Sequence, residues 1–330
     1  MTTSLDAPVT TIDYVADEAR PLQDIPRTRL WAHLEQVALT AFIAVPLLAV
    51  VASGFVLWGN GLSWRDVVLS TVFYAVTGHG ITVGFHRYFT HGSFKTGTRL
   101  RVALAVAGSM AIEGPVTRWV ADHRRHHAYS DREGDPHSPW RYGTSFWALC
   151  KGLWHAHVGW LFDVEQTDQK RFAPDLLADK AVHRVNRLFP VWVLISLALP
   201  ALIGGAWAAA VGDGFWYGAG TAFFWASLVR VAVLHHVTWS INSICHAFGT
   251  KPFLTRDESR NVWPLAFISM GESWHNLHHA DPTAARHGVD RWQFDTSAEL
   301  IRGFEKLGWA YDVRWPKRER LDARRAVNAA

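Results

Sequence analysis

Four long apolar stretches constrain this chain more than anything else in it. Residues 37–58, 67–85, 189–211 and 214–239 each approach the ~20 residues that a helix needs to cross a bilayer. Within hydrocarbon, backbone polar groups must be paired inside their own segment, so each stretch has to be helical. The expectation is an all-α integral membrane protein with four transmembrane helices. A fifth run, 100–112, is too short to cross and contains Arg101; it reads as an interfacial or re-entrant helix. Only 49% of the 330 residues are hydrophobic and 19% are charged, so a substantial water-facing helical cap must accompany the spans.

The connections give the sidedness. The first and second stretches are joined by GNGLSWR, the third and fourth by little more than GDG. RTRL, the long basic stretch between the second and third spans, and everything after the fourth lie on the other side. The positive-inside tendency puts that side, with both termini, in the cytoplasm. The chain therefore reads as a multi-pass protein of the cytoplasmic membrane. Residues 1–30 are expected to be a mobile cytosolic tail, 31–315 the four-span domain with its cap, and 316–330 a basic tail. Two cysteines, Cys150 and Cys245, form no CxxC pair and suit a reduced cytosolic face. The net charge of +4 suits an anionic lipid surface or a phosphorylated substrate, and no nucleic-acid partner is expected.

The chemistry lies in the 18 histidines. HRYFTH supplies His86 and His91, DHRRHH supplies His123, His126 and His127, and HNLHH supplies His275, His278 and His279. In the last two boxes the spacing i, i+3, i+4 places three rings within one ~100° arc of a helix. Amphipathic packing does not ask for histidine there, whereas a metal does, because neutral imidazole is a good ligand for borderline ions. In the fourth stretch, Asn242 and His246 share a face; His246 is the expected ninth ligand and Asn242 a direct or water-mediated one. Nine ligands exceed a four-coordinate zinc site and suit two ions with four or five nitrogens each. Glu113, Asp122 and Glu272 are candidates to orient the imidazoles, with helix caps or surface charges as the competing reading. His137 reads as a loop residue orienting the second box. His235 and His236 read as core or lining, His79, His155 and His157 as structural or lining, and His33, His183 and His287 as surface.

The motifs GFHRYFTHGSF, WVADHRRHHAYSDREGDPHSP, HVGWLF, TWSINSICHAFGTKPF and GESWHNLHHADP, in that order over about residues 65–315, resemble the membrane-bound fatty-acyl desaturases. The likeness is specifically to the stearoyl-CoA Δ9 branch and its bacterial relatives. The resemblance implies four transmembrane helices and a cytosolic cap holding two iron ions. It carries the ligand roles to His86, His91, His123, His126, His127, His246, His275, His278 and His279, with Asn242 acting through water. It also implies a bent acyl tunnel lined by Trp119, Thr238 and Trp239. In the acyl-CoA enzymes an arginine precedes the Asp-His of the second box. Here that position is Ala121, with Asp122 retained.

The implied reaction is O2-dependent formation of a cis double bond in a long-chain saturated acyl thioester, with acyl-CoA as first carrier and a lipid-bound acyl chain as the alternative. Two electrons would come from a separate protein, a ferredoxin and its reductase. Asp122, Arg118, Lys170 and Arg171, together with Arg124 and Arg125, are the head-group candidates among the basic loops. Two rival readings stand beside this one: a histidine-box hydroxylase or alkane monooxygenase, and a metal transporter or sensor.

Overall fold

A computed structural model describes residues 29–55, 61–163 and 166–325; the tail over 1–28 and the last five residues, both read above, lie outside them. Among the described residues, four helices are long and apolar enough to cross a membrane: His33–Gly54, Trp64–Thr90, Phe189–Ala210 and Phe215–His246. The third matches its apolar stretch closely, and the first covers its own from residue 37 to 54, with 56–58 outside the described residues. The second and fourth run on well beyond theirs.

That overrun builds the site. At ~1.5 Å per residue a 27-residue helix is about 40 Å long, some 10 Å more than the hydrocarbon core. Its last turns therefore project into the cap and carry the first box with them, so HRYFTH belongs to the span itself. Those turns are π-helical over Gly80–Thr90, where the His91 amide donates to the His86 carbonyl at 3.2 Å. In an α-helix residues five apart point roughly 140° apart. The i→i+5 turn instead brings His86 and His91 onto one side. Short π-helical stretches interrupt α-helices chiefly at functional sites.

The 100–112 run forms a helix over Thr98–Ser109 that does not span and lies against the second span. The approach is backbone to backbone, since a Cβ at Gly80 would sit 2.3 Å from the Ala107 carbonyl carbon. Between the third and fourth spans, a Cβ at Gly218 would meet that of Ala208 at 2.2 Å. Small residues at such crossings let helices pack without any hydrophobic drive from the lipid. At the far end, Arg65 pairs with Asp213 at 2.5 Å and Thr221 donates to Asp66 at 3.0 Å, so the starts of the second and fourth spans lie together, opposite the histidines.

The cap is built from short helices. Val116–Tyr129 carries the second box and the six-residue His275–Ala280 the third. Its apolar core joins Val83 and Phe85 of the second span to Val116, Val120, Phe172, Val182 and Ile301. A two-residue antiparallel pairing, Lys95 opposite Tyr311 and Thr96 opposite Ala310, ties the chain after the second span to the C-terminal region. The molecule is thus mostly helical, four candidate spans below and histidine-bearing cap elements above.

A candidate metal centre beneath an apolar cavity

The nine histidines converge, but not box by box. His86, His91, His123, His127 and His278 form one group, and His126, His246, His275 and His279 a second; within each, the ligand atoms lie within 4.8 Å of one another. The expected shared arc is present and is divided between two sites. On the second-box helix, His123 and His127 face the first group and His126 the second. On the third, His278 faces the first group, and His275 and His279 the second. The groups abut, with the His127 and His279 rings stacked at 4.5 Å.

Four carboxylates grip these rings from behind. Glu272 Oε2 lies 2.5 Å from His86 Nδ1, and both Asp135 oxygens lie 3.0 Å from His126 Nδ1. Asp131 accepts from His246 Nδ1 at 2.8 Å, and Asp257 from His279 Nδ1 at 2.8 Å. A carboxylate that accepts the Nδ1 proton leaves Nε2 with its lone pair pointing inward. There His86 Nε2 meets His278 Nε2 at 3.1 Å, and His278 Nε2 meets His127 Nε2 at 2.9 Å. His246 and His279 Nε2 each lie 3.0 Å from His275 Nε2. His91 Nε2 and His126 Nε2 are buried without a hydrogen-bond partner. With the Nδ1 protons of His86, His126, His246 and His279 already committed to carboxylates, so many inward nitrogens cannot all be satisfied by hydrogen bonds among themselves. A cation at each focus satisfies them, and an all-nitrogen donor set suits a borderline transition metal.

The electrostatics agree. Burial, then the neighbouring imidazoles, hold His123, His127, His275 and His278 well below the ordinary histidine value; burial brings His279 down to about 4 despite Asp257. These rings are neutral, as ligands must be. Burial pushes the four carboxylates up, but their imidazole contacts outweigh it, joined by Arg87 at Glu272 and by backbone amides at Asp131 and Asp135. All four stay below the usual carboxylate range.

Of the three carboxylates proposed from sequence to orient imidazoles, only Glu272 does so. Glu113 accepts from Trp119 Nε1 at 3.1 Å and from Thr238, and burial raises it to about 7. Asp122 is beside Arg118 and Thr167. Asp131, Asp135 and Asp257 were missed; the sole hint was that Asp131 and Asp135 follow the second box closely. His137 does sit behind the second box, its ring 4.4 Å from that of His126 and its amide donating to Asp135 at 3.0 Å. His287, read as a surface residue, is buried: its ring packs 4.6 Å from that of His278, and Arg87 donates to its Nδ1 at 3.3 Å. Buried Arg87 also donates to Glu272 at 2.9 Å and pairs with Asp295 at 2.9 Å, which fixes the carboxylate that fixes His86.

A largely apolar cavity of about 400 Å³ reaches this centre, touching His86, His123 and His275. Ile81, Leu234, Trp119, Thr238, Trp239 and Asn242 line it, with Arg118 and Asp122 also on its wall. Trp119 stacks on His123 at 5.1 Å, so one tunnel wall rests directly on the first group. Lys170 and Arg171 are exposed, outside that lining; Arg171 donates to the Tyr129 hydroxyl at 3.2 Å.

Comparison with known proteins leads the same way. The profile of the fatty acid desaturase family matches residues 62–315. The chain is 40% identical over 284 residues to a hex-5-enoyl-acyl-carrier-protein acetylenase of Moorena producens, covering 85% of this chain and 87% of that protein. It is 36% identical to Delta-9 acyl-lipid desaturase 2 of Arabidopsis thaliana, covering 87% and 85%. To an sn-1 stearoyl-lipid 9-desaturase of Anabaena variabilis it is 34% identical, covering 77% and 86%. On the match over 62–315 and these likenesses over most of each chain, the chain belongs to the fatty acid desaturase family.

Proposed function

We propose that this protein forms a cis double bond at the Δ9 position of a long-chain saturated acyl thioester, acyl-CoA first among carriers, using O2 and two external electrons. The observation that carries this is the pair of carboxylate-backed histidine groups opening onto an apolar cavity. A mid-chain methylene pair has no acidic proton and no leaving group, so general acid–base side chains have nothing to act on. Two iron ions, held by the five and the four histidines with Asn242 beside the second group, would supply the O2-dependent oxidation.

The chain's own residues do the rest. Glu272, Asp135, Asp131 and Asp257 hold the Nδ1 protons, keeping each Nε2 directed inward. Trp119, Ile81, Leu234 and Trp239 exclude water and limit the poses of an alkyl chain, so that one methylene pair meets the centre. Arg118 and Asp122 hold the carrier end, with Lys170 and Arg171 outside. Electrons come from a separate protein, a ferredoxin with its reductase, and the cap faces the cytoplasm from the cytoplasmic membrane.

A lipid-borne acyl chain is the second reading. It is favoured by the names of two relatives, an acyl-lipid and a stearoyl-lipid desaturase, and by Ala121 in front of Asp122. Purified protein given O2, reduced ferredoxin and either stearoyl-CoA or a stearoyl glycerolipid tests both. An alkene from the thioester supports the first carrier, and an alkene from the glycerolipid alone moves the assignment to lipid. An alcohol product would make the protein a hydroxylase.

A further inference from the structure

The helix Phe146–His157 is amphipathic the wrong way round for a protein in water. Taking ~100° per residue, Phe146, Cys150, Trp154, Trp147 and Lys151 fall within one arc of about 140°. Every one of them is exposed: Phe146 at 70%, Trp147 at 79% and Trp154 at 69%. The opposite face, with Gly152, His155 and Ala156, is the buried one. Three large aromatic side chains thus point away from the protein on one short helix. Scattered exposed apolar residues are ordinary, but a contiguous aromatic face on an ordered element marks an interface.

The helix is also held firmly in place. Gly152 presses on the Pro139 carbonyl so closely that a Cβ there would overlap it. At its C-terminal end, His157 Nε2 lies 2.9 Å from His236 Nδ1 and His157 Nδ1 lies 3.0 Å from Ser243 Oγ. Both partners belong to the last turns of the fourth span, where it leaves the apolar segment for the cap. The helix is therefore seated on the fourth span, with its aromatic face turned away from the protein. Tryptophan beside lysine is the chemistry of the headgroup boundary, where an indole buries its ring and keeps its N–H wet. The Lys151 ammonium lies 4.1 Å from the Tyr142 ring centroid, at the rim of the patch. A second cap segment behaves likewise at the second span, where Tyr74 donates to the Ile268 carbonyl at 2.6 Å beside exposed Phe267 and Trp263.

We propose that Phe146–His157 lies in the plane of the bilayer interface, with Phe146, Trp147 and Trp154 among the lipid headgroups and upper acyl chains, as an anchor that holds the cap against the membrane. This inference does not depend on the reaction assigned to the metal centre. Its partner is a lipid surface rather than a second copy of the chain or a redox protein, because the helix is seated on a membrane-spanning helix and exposes tryptophan beside lysine.

Cys150 makes the test direct, since it lies within the exposed face while Cys245 is buried. The full-length protein, labelled at Cys150 with an environment-sensitive nitrobenzoxadiazole maleimide, is reconstituted in phosphatidylcholine vesicles. A phosphatidylcholine with a nitroxide near the top of its acyl chain should abolish most of the fluorescence, while aqueous iodide should remove little. The double variant Trp147→Ser/Trp154→Ser should shift the emission to the red and lose much of the nitroxide quenching. Quenching by iodide and not by nitroxide would overturn the proposal. So would protection from both quenchers, whether or not self-quenching at higher protein-to-lipid ratio reveals a second copy. Unchanged quenching in the double variant would also overturn it, because the indoles would then not hold the helix in place.

Discussion

At the scale of single residues, the histidines were legible and their supports were not. Spacing alone pointed to His123, His126, His127, His275, His278 and His279, because no packing role explains that pattern. Two of the carboxylates behind the rings come from afar: Asp131 reaches His246 across 115 positions and Glu272 reaches His86 across 186. No local periodicity encodes such contacts, and acidic residues in a polar cap look alike in sequence. His278→Ala removes the ring that touches both His86 and His127, and should abolish desaturation while the protein still inserts in the membrane; near-normal turnover would refute its place in the first group. Asp257→Asn keeps the shape but no longer secures the Nδ1 proton of His279. It should lower metal affinity or activity by roughly 10- to 100-fold, read as iron retained after dialysis alongside product formation.

At the scale of elements, the apolar stretches gave the number of spans, yet not where two of them stop. Hydrophobicity reports the lipid-exposed part of a helix and is silent once the same helix enters a protein cap. The π-turn that brings His86 and His91 together is equally invisible to an α-helical reading, in which five-residue spacing looks like a mismatch. The second span works only if the Thr98–Ser109 helix stays pressed against it. Gly80→Ala places a methyl group into the Ala107 backbone. It should cost about 1–3 kcal/mol, seen as faster thermal inactivation and weaker iron retention, whereas unchanged thermal stability would show that the two helices can part freely.

At the scale of the whole molecule, spans and cap work as one device: two elongated spans and two cap helices deliver nine rings to adjacent foci at the wall of an apolar cavity. Its dependence on pH follows from burial. His123, His127, His275 and His278 are held well below the ordinary value, so the unfolded chain binds protons that the folded one refuses. Stability contributed by these neutral rings is full above an unfolded histidine pKa of about 6.5 and falls as pH drops below it. Protons compete for Nε2 in the same direction, so iron loss should steepen from about pH 6.5 downward; retention that is flat to about pH 5 would contradict neutral-ring ligation. The cavity wall makes a separate prediction: Trp239→Ala should change which acyl chain lengths are accepted, measured as the product profile from mixed substrates.

The central claim is that the two histidine groups each hold one iron and serve a single oxidation. Elemental analysis of purified protein tests it most directly, on the wild type and on one variant from each group, His91→Ala and His246→Ala. The account predicts about two irons per wild-type chain, a loss of iron in each variant, and no desaturation by either. Full activity with zinc as the sole metal, or wild-type iron content in both variants, would contradict it.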